Sequence, residues 1–195
     1  MEYTPKILAF AGSLRKDSFN KKVLKLAVSG AEEAGAKVTV IDLNDYPLPI
    51  LNQDDEAKNG LPQNALALKK LMDEHDGLMI ASPEYNSSIS GNLKNAIDWI
   101  SRQATPSEPM LKSFNGKVAV IFSASVGGLG GLRGLVHLRA ILNNINVLVI
   151  PQQETLPLAS QAFNDQGVLL DEAKKSSFKS LGRILTETLF KLRKS

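Results

Sequence analysis

The sequence predicts an α/β protein, with a doubly wound parallel sheet that carries helices on both faces. Two observations support this prediction. Short, β-branched apolar runs of strand length alternate with longer amphipathic stretches of helical period, in five successive units. The short runs are apolar on both faces, which is typical of buried parallel strands joined by crossover helices.

The elements follow one another in strict strand–helix order. The predicted strands are residues 6–11, 36–43, 77–82, 116–125 and 145–152. The predicted helices are residues 18–34, 63–75, 91–101, 132–144 and 171–193. Each helical stretch places apolar residues on one face, as Val23, Ala27 and Ala31 do in the first, and Gly35 suits the end of that helix.

Length and composition indicate one domain covering residues 1–195, because a chain of 195 residues can bury a substantial core and shows no linker or repeat. Two connections are unusually long, 44–62 and 151–170. Connections of this length usually have a function or are mobile.

Charge and residue usage exclude several classes of protein. The net charge of +3 is mild and dispersed, so we expect no nucleic-acid or membrane partner. The chain has no cysteine and two isolated histidines, so we expect no metal site. No signal peptide and no apolar run long enough to cross a bilayer are visible, which favours a cytoplasmic protein.

The first polar loop, "GSLRKDSFN", lies between strand 1 and the first helix. Ser13, Ser18 and Asn20 can donate hydrogen bonds, and the planar cation of Arg15 suits phosphate. The helix that follows adds free N–H groups and a positive dipole end. The run fits a phosphate site, and about equally a helix cap formed by Ser18 or Asp17 with Arg15 in solvent. It matches neither GxGxxG nor GxxxxGK[ST], which disfavours the standard NAD and Walker ATP sites.

The second loop, "SPEYNSSISGN", follows strand 3 at the point where ligands bind in open α/β sheets. Pro83, Glu84, Tyr85 and Asn86 suit a flat heteroaromatic ligand, with backbone groups at its edge and an apolar side chain over one face. The alternative is a turn followed by a helix cap at Ser90.

The third loop, "SASVGGLGG", follows strand 4 and contains Gly127, Gly128, Gly130 and Gly131. Glycine allows a backbone to approach a ligand closely, although flexibility alone would also account for it. The position of this loop beside strand 4 favours the hypothesis that it completes the same pocket as the first two loops.

No nucleophile, base and orienting group are arranged together, and GxSxG is absent. His137 lies among apolar residues of a helical stretch, and His75 lies at a helix end. A phosphate site without catalytic side chains indicates a cofactor that performs the chemistry.

Taken together, the three loop motifs resemble those of the NADPH-dependent FMN reductase family, which includes quinone, chromate and azo-dye reductases. The resemblance extends over roughly residues 5–185. It implies a flavodoxin-like fold with strand order 2-1-3-4-5, tightly but non-covalently bound FMN, and NADPH or NADH as co-substrate. It also implies a small-molecule electron acceptor and a homodimer or homotetramer with flavin sites near the subunit interface.

The resemblance also implies roles for individual residues. Ser13, Arg15, Ser18 and Asn20 match the phosphate-binding turn, whereas Pro83, Glu84, Tyr85 and Asn86 match the loop that holds the isoalloxazine ring. Ser123, Ser125, Gly127 and Gly128 match the turn near the other flavin edge. No side chain is expected to be catalytic, because flavin N5 carries the chemistry. Arg102 and Arg133 are candidates for a contact with the 2′-phosphate of NADPH.

The hypothesis is therefore an NAD(P)H oxidoreductase that passes hydride through FMN to a quinone or similar acceptor (flavin, azo dye or chromate) by a ping-pong mechanism. Two alternatives belong to other classes. One is a flavin-binding electron carrier or redox sensor that serves a protein partner, although 23 basic against 20 acidic residues disfavours it. The other is an anion-binding structural module without flavin.

Overall fold

The computed structural model describes residues 3–193. Within them, five parallel strands form one sheet of order β2-β1-β3-β4-β5. This order confirms the predicted flavodoxin-like fold. The expectation of one domain covers residues 1–195, and residues 1, 2, 194 and 195 lie outside the described part of the chain.

The observed elements lie close to the predicted ones. The strands are β1 Lys6–Ala11, β2 Lys37–Ile41, β3 Gly77–Ala81, β4 Val118–Ala124 and β5 Leu148–Leu156. The α-helices are α1 Phe19–Glu33, α2 Gln53–Asn59, α3 Gln63–Asp73, α4 Gly91–Ser101, α5 Leu132–Asn144 and α6 Glu172–Arg193.

Helices cover both faces of the sheet, as the alternation of elements predicts. On one face, α1 and α6 bury apolar residues such as Ala27 and Leu185 against the strands. On the other face, α3, α4 and α5 do the same, with Leu68, Ile97 and Leu138 at the centre of the second core. Both layers bury the apolar stripe of an amphipathic helix, which is the main source of helical stability in proteins.

The helices α1 and α6 approach each other closely because each carries a glycine at the contact. A Cβ atom on Gly30 would overlap the carbonyl oxygen of Lys179, and one on Gly182 would overlap the carbonyl oxygen of Ala27. The absence of both side chains lets the two backbones meet.

The two edge strands differ from the sequence prediction. Buried strands were expected throughout, but β2 is half-exposed, with Val40 55% exposed, because only β1 pairs with it. The other edge strand, β5, begins and ends later than predicted and contains a bulge after Val149 that includes Pro151. A bulge and a proline both discourage pairing with another chain.

The connection 44–62 is not the plain loop that was expected. It contains α2 and follows a short 3-10 helix, Leu43–Asp45. The acidic run at 54–56, within this connection, forms the first turn of α2, with Asn52 as its N-cap. Carboxylates are stabilised there by the helix dipole. The cap and the acidic first turn were visible in the sequence and would have predicted this helix.

No helix within residues 3–193 is long and apolar enough to span a membrane. In the same part of the chain, no group of three or more His, Asp or Glu side chains is placed to hold a metal ion.

Candidate cofactor-binding site

The three polar loops meet at the carboxyl edge of the sheet, where parallel strands end together. The N–H of Gly12 donates to the carbonyl of Ala81 at 2.8 Å. The carbonyl of Gly12 accepts from Ser90 Oγ at 2.5 Å and from Asn92 Nδ2 at 2.9 Å. The first loop is therefore fastened to the end of β3 and to the start of α4.

The first loop presents two cations at the start of α1. Arg15 and Lys16 are exposed, and neither forms an ion pair within residues 3–193. Ser13 and Ser18 are each only 3% exposed. The hydroxyl of Ser18 caps α1 by accepting from the Lys21 N–H at 3.4 Å. The predicted cap and the predicted anion site therefore coexist, because a capped helix still has other free N–H groups in its first turn.

Asn20 has a different environment from Ser13, Arg15 and Ser18, the other residues predicted to bind phosphate. Its side-chain amide is buried and pairs with the backbone of Ala124, donating from Nδ2 to the carbonyl at 2.9 Å and accepting the N–H at Oδ1 at 2.9 Å. Both atoms of this amide thus join α1 to the end of β4. Asn20 shapes the site by holding two loops together.

The second loop contains a tight hairpin turn. Tyr85 and Ser88 exchange two backbone hydrogen bonds, of 2.8 and 3.0 Å. The residues between them, Asn86 and Ser87, have φ angles of +50° and +67°. Positive φ at both central positions defines a type I′ turn, for which asparagine is a favoured first residue. Tyr85 is 47% exposed at this turn, whereas Pro83 is buried beneath it.

Glu84 anchors the hairpin to the start of α5. Its Oε1 accepts from Arg133 Nη2 at 2.6 Å and Nε at 2.9 Å, and its Oε2 accepts from the Gly134 N–H at 3.1 Å. Burial raises the pKa of this carboxyl, but the hydrogen bonds from Arg133 and Gly134 outweigh burial and hold its pKa below the usual value. Glu84 is therefore a carboxylate at neutral pH.

The third loop combines buried and exposed members of the predicted set. Gly127 and Gly128 are exposed, and the Gly127 N–H donates to Ser125 Oγ at 3.3 Å. Ser123 is fully buried, and its hydroxyl has no hydrogen-bond partner within residues 3–193.

The shape of this loop depends on the next two glycines. Gly130 and Gly131 have φ angles of +62° and +93°. A Cβ atom on Gly131 would overlap the hydroxyl of Ser123. These two glycines turn the chain into α5, and Ser123 lies behind the turn.

The two candidate arginines for a nucleotide phosphate both have carboxylate partners. Arg133 pairs with Glu84 at 2.6 Å, and Arg102 pairs with Glu56 at 2.7 Å. Sequence reasoning missed these pairs, which join residues far apart in the chain. His137 is exposed, with Nδ1 3.0 Å from Ser88 Oγ, and His75 is buried just after α3.

The arrangement is that of a flavodoxin-like cofactor site at the carboxyl edge of a doubly wound sheet. The residues present fit a phosphate monoester joined to a flat ring. Arg15 and Lys16 are unpaired cations at a helix start, and a rigid hairpin lies beside them across the end of β3.

Comparison with known proteins agrees with a flavodoxin-like, cofactor-binding protein. The chain matches the family described as NADPH-dependent FMN reductase over residues 5–161. It is 36% identical to an NAD(P)H:quinone oxidoreductase of Solanum tuberosum, covering 96% of this chain and 94% of the relative. It is 38% identical to an NAD(P)H-dependent FMN reductase of Pseudomonas aeruginosa, covering 86% and 85%.

The fold is similar to that of solved flavoenzymes. The NAD(P)H:(acceptor) oxidoreductase FerB of Paracoccus denitrificans superposes with a TM-score of 0.77 at 26% identity, covering 96% of this chain and 98% of that one. The protein described here belongs to the NADPH-dependent FMN reductase family.

Proposed function

We propose that this protein is an FMN-dependent NAD(P)H oxidoreductase that reduces a quinone or a similar small acceptor. The observation that carries the proposal is the meeting of an unpaired cationic loop and a rigid hairpin at the carboxyl edge of the sheet, in a chain of this family. When bound, FMN would accept hydride from NAD(P)H at N5 and pass two electrons to the acceptor in a ping-pong cycle.

The first loop would hold the FMN phosphate. Arg15 supplies a charge-assisted contact, and Ser13 and Ser18 supply hydroxyl groups next to the N–H groups of the first turn of α1. Lys16 is exposed beside Arg15 and adds a second positive charge. Asn20 contributes by fixing the distance between this loop and the end of β4.

The other two loops would hold the isoalloxazine ring. The type I′ turn after Tyr85 would hold the backbone of Tyr85 and Asn86 in one conformation, and the buried Pro83 precedes it in the same loop. Gly127 and Gly128 carry no side chain, so the third loop can approach the other flavin edge closely. Ser123 is fully buried and Ser125 is half-buried, so we expect these two residues to shape the loop behind that edge.

No side chain of this set is assigned proton transfer. Glu84 is the one carboxylate among the proposed residues, and its oxygens are bound to Arg133 and Gly134. Its pKa is lowered, so it stays ionised and acts as an anchor. The protein would orient the flavin and exclude water, and the proton on the reduced acceptor would come from solvent.

The decisive test is anaerobic reduction. The purified protein, incubated with FMN and desalted, is expected to keep the visible absorption of a flavoprotein and to lose it when NADPH is added. A quinone should then restore the oxidised spectrum without a protein partner, which distinguishes a reductase from an electron carrier. A preparation that takes up no FMN would exclude both. Parallel reductions with NADH would establish the preferred nicotinamide.

The proposal includes a homodimer or homotetramer in the cytoplasm, where reduced nicotinamides are available. Pro49 accepts hydrogen bonds from Asn95 and Trp99 on the outer side of α4, and its neighbour Ile50 is 79% exposed. Met110 is 75% exposed beside a cleft of about 640 Å³ between α2 and residues 101–110. Exposed apolar side chains of this size favour a subunit contact.

Light scattering would test the assembly. The substitution Met110→Glu is expected to shift the protein towards monomers, because a charge is poorly tolerated in the core of an interface. Arg183→Glu, an exposed change on α6 at the opposite face of the sheet, serves as control. A wild-type monomer at micromolar concentration would contradict the proposed assembly.

A further inference from the structure

The first loop is exposed, and little of the protein holds its tip. Residues 14–17 are all exposed. The internal hydrogen bond, from the Arg15 N–H to Ser13 Oγ, is long at 3.4 Å. Within residues 3–193, one hydrogen bond joins residues 14–17 to the protein beyond the loop: Asn44 Nδ2 donates to the carbonyl of Leu14 at 2.7 Å.

Asn44 is itself held by a carboxylate at the end of β2. Oδ1 of Asp42 accepts both the N–H and the Nδ2 group of Asn44, each at 3.0 Å. Asp42 is also the N-cap of the 3-10 helix Leu43–Asp45, which carries Asn44. These hydrogen bonds fix the orientation of the Asn44 side chain, so that its amide nitrogen is directed at the carbonyl of Leu14.

The same carboxylate also holds the start of α1. Oδ2 of Asp42 pairs with Lys21 Nζ at 2.5 Å. Burial raises the pKa of Asp42, but the hydrogen bonds from Lys21 and Asn44 hold it below its usual value, so the group is ionised at neutral pH. One ionised carboxylate thus fixes both the loop tip, through Asn44, and the first turn of α1, through Lys21.

We infer that Asp42 and Asn44, here called the β2 clasp, are positioning residues for the phosphate-binding loop. The inference rests on the proposed function, because it names what presents Leu14, Arg15 and Lys16 to a phosphate group. The clasp keeps the loop tip at the start of α1 before the ligand binds, and this lowers the ordering that binding would otherwise require. We expect it to act on the phosphate-binding loop and not on the flavin ring.

The two flavins FMN and riboflavin distinguish this role from general stabilisation, because riboflavin lacks the phosphate. In Asn44→Ala, we expect the Kd for FMN to rise roughly three- to tenfold, the effect of losing one intramolecular hydrogen bond. We expect the Kd for riboflavin to stay within about twofold of the wild-type value. Titration of intrinsic flavin fluorescence measures both.

A matched control comes from the same connection. Asn64, a half-buried residue of α3, donates from Nδ2 to the carbonyl of Pro47 at 2.8 Å in an exposed hydrogen bond like that of Asn44, and Asn64→Ala should change neither affinity. Asn44→Leu keeps the approximate size of the side chain and adds no charge but removes the donor, so it should weaken FMN as much as Asn44→Ala does. Unchanged FMN affinity, or equal losses for both flavins, would overturn the role of the clasp.

Hydrogen exchange of the ligand-free protein gives a readout independent of flavin. Amides of residues 13–18 should exchange faster in Asn44→Ala than in wild type and in Asn64→Ala. Equal rates would overturn the inference even if FMN binds well. If the wild-type protein binds neither flavin but the loop exchanges faster in Asn44→Ala, the proposed function fails while the mechanical role of the clasp stands.

Discussion

At the scale of single residues, the site depends on a few groups whose local geometry matches their chemistry. Arg15 is an exposed cation without a carboxylate partner in the described chain, whereas Arg133 and Arg102 are both paired. Asn86 and Ser87 adopt positive φ angles that most residues avoid. The unpaired charge of Arg15 bears on the proposed phosphate site, whereas the positive φ angles of Asn86 and Ser87 bear on the rigidity of the hairpin.

Arg15→Ala is expected to weaken FMN binding about 10- to 100-fold, since a charge-assisted hydrogen bond contributes about 1.5–3 kcal/mol. Riboflavin binding should change little. Flavin titration measures the effect, and Arg183→Ala, an exposed substitution on α6, is the control. Equal FMN affinity in Arg15→Ala and wild type would remove Arg15 from the phosphate site.

Ser87→Gly is expected to stabilise the protein by about 0.5–1 kcal/mol. Glycine relieves the left-handed strain at φ +67°, and the greater freedom of the unfolded chain offsets part of the gain. Urea unfolding at neutral pH measures the change. Ser107→Gly, in a loop at an ordinary φ, should be neutral or slightly destabilising. A lower unfolding midpoint for Ser87→Gly would contradict a strained turn.

At the scale of elements, contacts between segments distant in sequence hold the loops in place. Glu84 links the hairpin to α5, Asn20 links α1 to β4, and Asn44 links the end of β2 to the first loop. Gly182 lets α6 pack directly on the backbone of α1. A substitution at any of these positions should therefore disturb two elements at once.

Glu84→Gln is expected to destabilise the protein by roughly 1–3 kcal/mol at pH 7, because it removes a charged acceptor from Arg133 and from the Gly134 N–H. The folded-state pKa of Glu84 is lowered. Its contribution is therefore present above the unfolded-state value of 4.5 and is lost as the pH falls through the folded-state value.

Urea unfolding at pH 7 and pH 3 would test this dependence. The difference between wild type and Glu84→Gln should shrink at the lower pH, since the contribution of the ionised carboxyl declines as the pH falls below the unfolded-state pKa. Glu172→Gln, which removes an exposed pair with Lys175, should have little effect at either pH. A difference that stays constant from pH 7 to pH 3 would exclude the ionised carboxylate as its source.

Gly182→Ala is expected to destabilise the protein by about 1–3 kcal/mol, although alanine has the higher helix propensity. Its Cβ would overlap the carbonyl oxygen of Ala27, so α1 and α6 would have to separate. Gly91→Ala is a matched control, because a Cβ at the first residue of α4 meets nothing within 4 Å. The denaturant midpoints of the two variants measure these effects. Equal midpoints for wild type and Gly182→Ala would argue against a tight α1–α6 contact.

At the scale of the whole molecule, one sheet brings the three loops to a single edge, so a ligand there touches segments spread over most of the chain. A ligand that binds only the folded protein stabilises it by mass action. Binding of FMN should therefore be visible as a change in global stability.

FMN at about 100 times its Kd is expected to add about 2.7 kcal/mol and to raise Tm by about 5–10 °C for a chain of this size. Thermal unfolding followed by circular dichroism measures the shift. Riboflavin at the same concentration should raise Tm less, because it lacks the phosphate that the first loop would hold. Equal shifts for the two flavins would indicate that the phosphate is not bound.

Much of the fold could be predicted because its signals are local. The apolar periods of α1 and α4 and the β-branched runs of β1 and β3 lie within one segment each. The observed bounds of β1 and α4 equal the predicted ones, and those of α1 and β3 differ by no more than one residue at either end. The α2 helix was missed although its cap and acidic first turn are local too. Exposure of β2 was not predictable in this way, because an edge strand is defined by its neighbours.

The sequence by itself determined the alternation of strands and helices, the polar loops at the carboxyl ends of β1, β3 and β4, and the turn residues of the hairpin, since each depends on neighbouring residues. Only the tertiary structure decided which side chains meet. Asn20 and Ala124 are 104 positions apart, Glu84 and Arg133 are 49 apart, and Asn44 and Leu14 are 30 apart. Such pairs follow from strand order and helix packing, and the Glu84 pair engages Arg133, a cation that the sequence left as a candidate for a nucleotide phosphate.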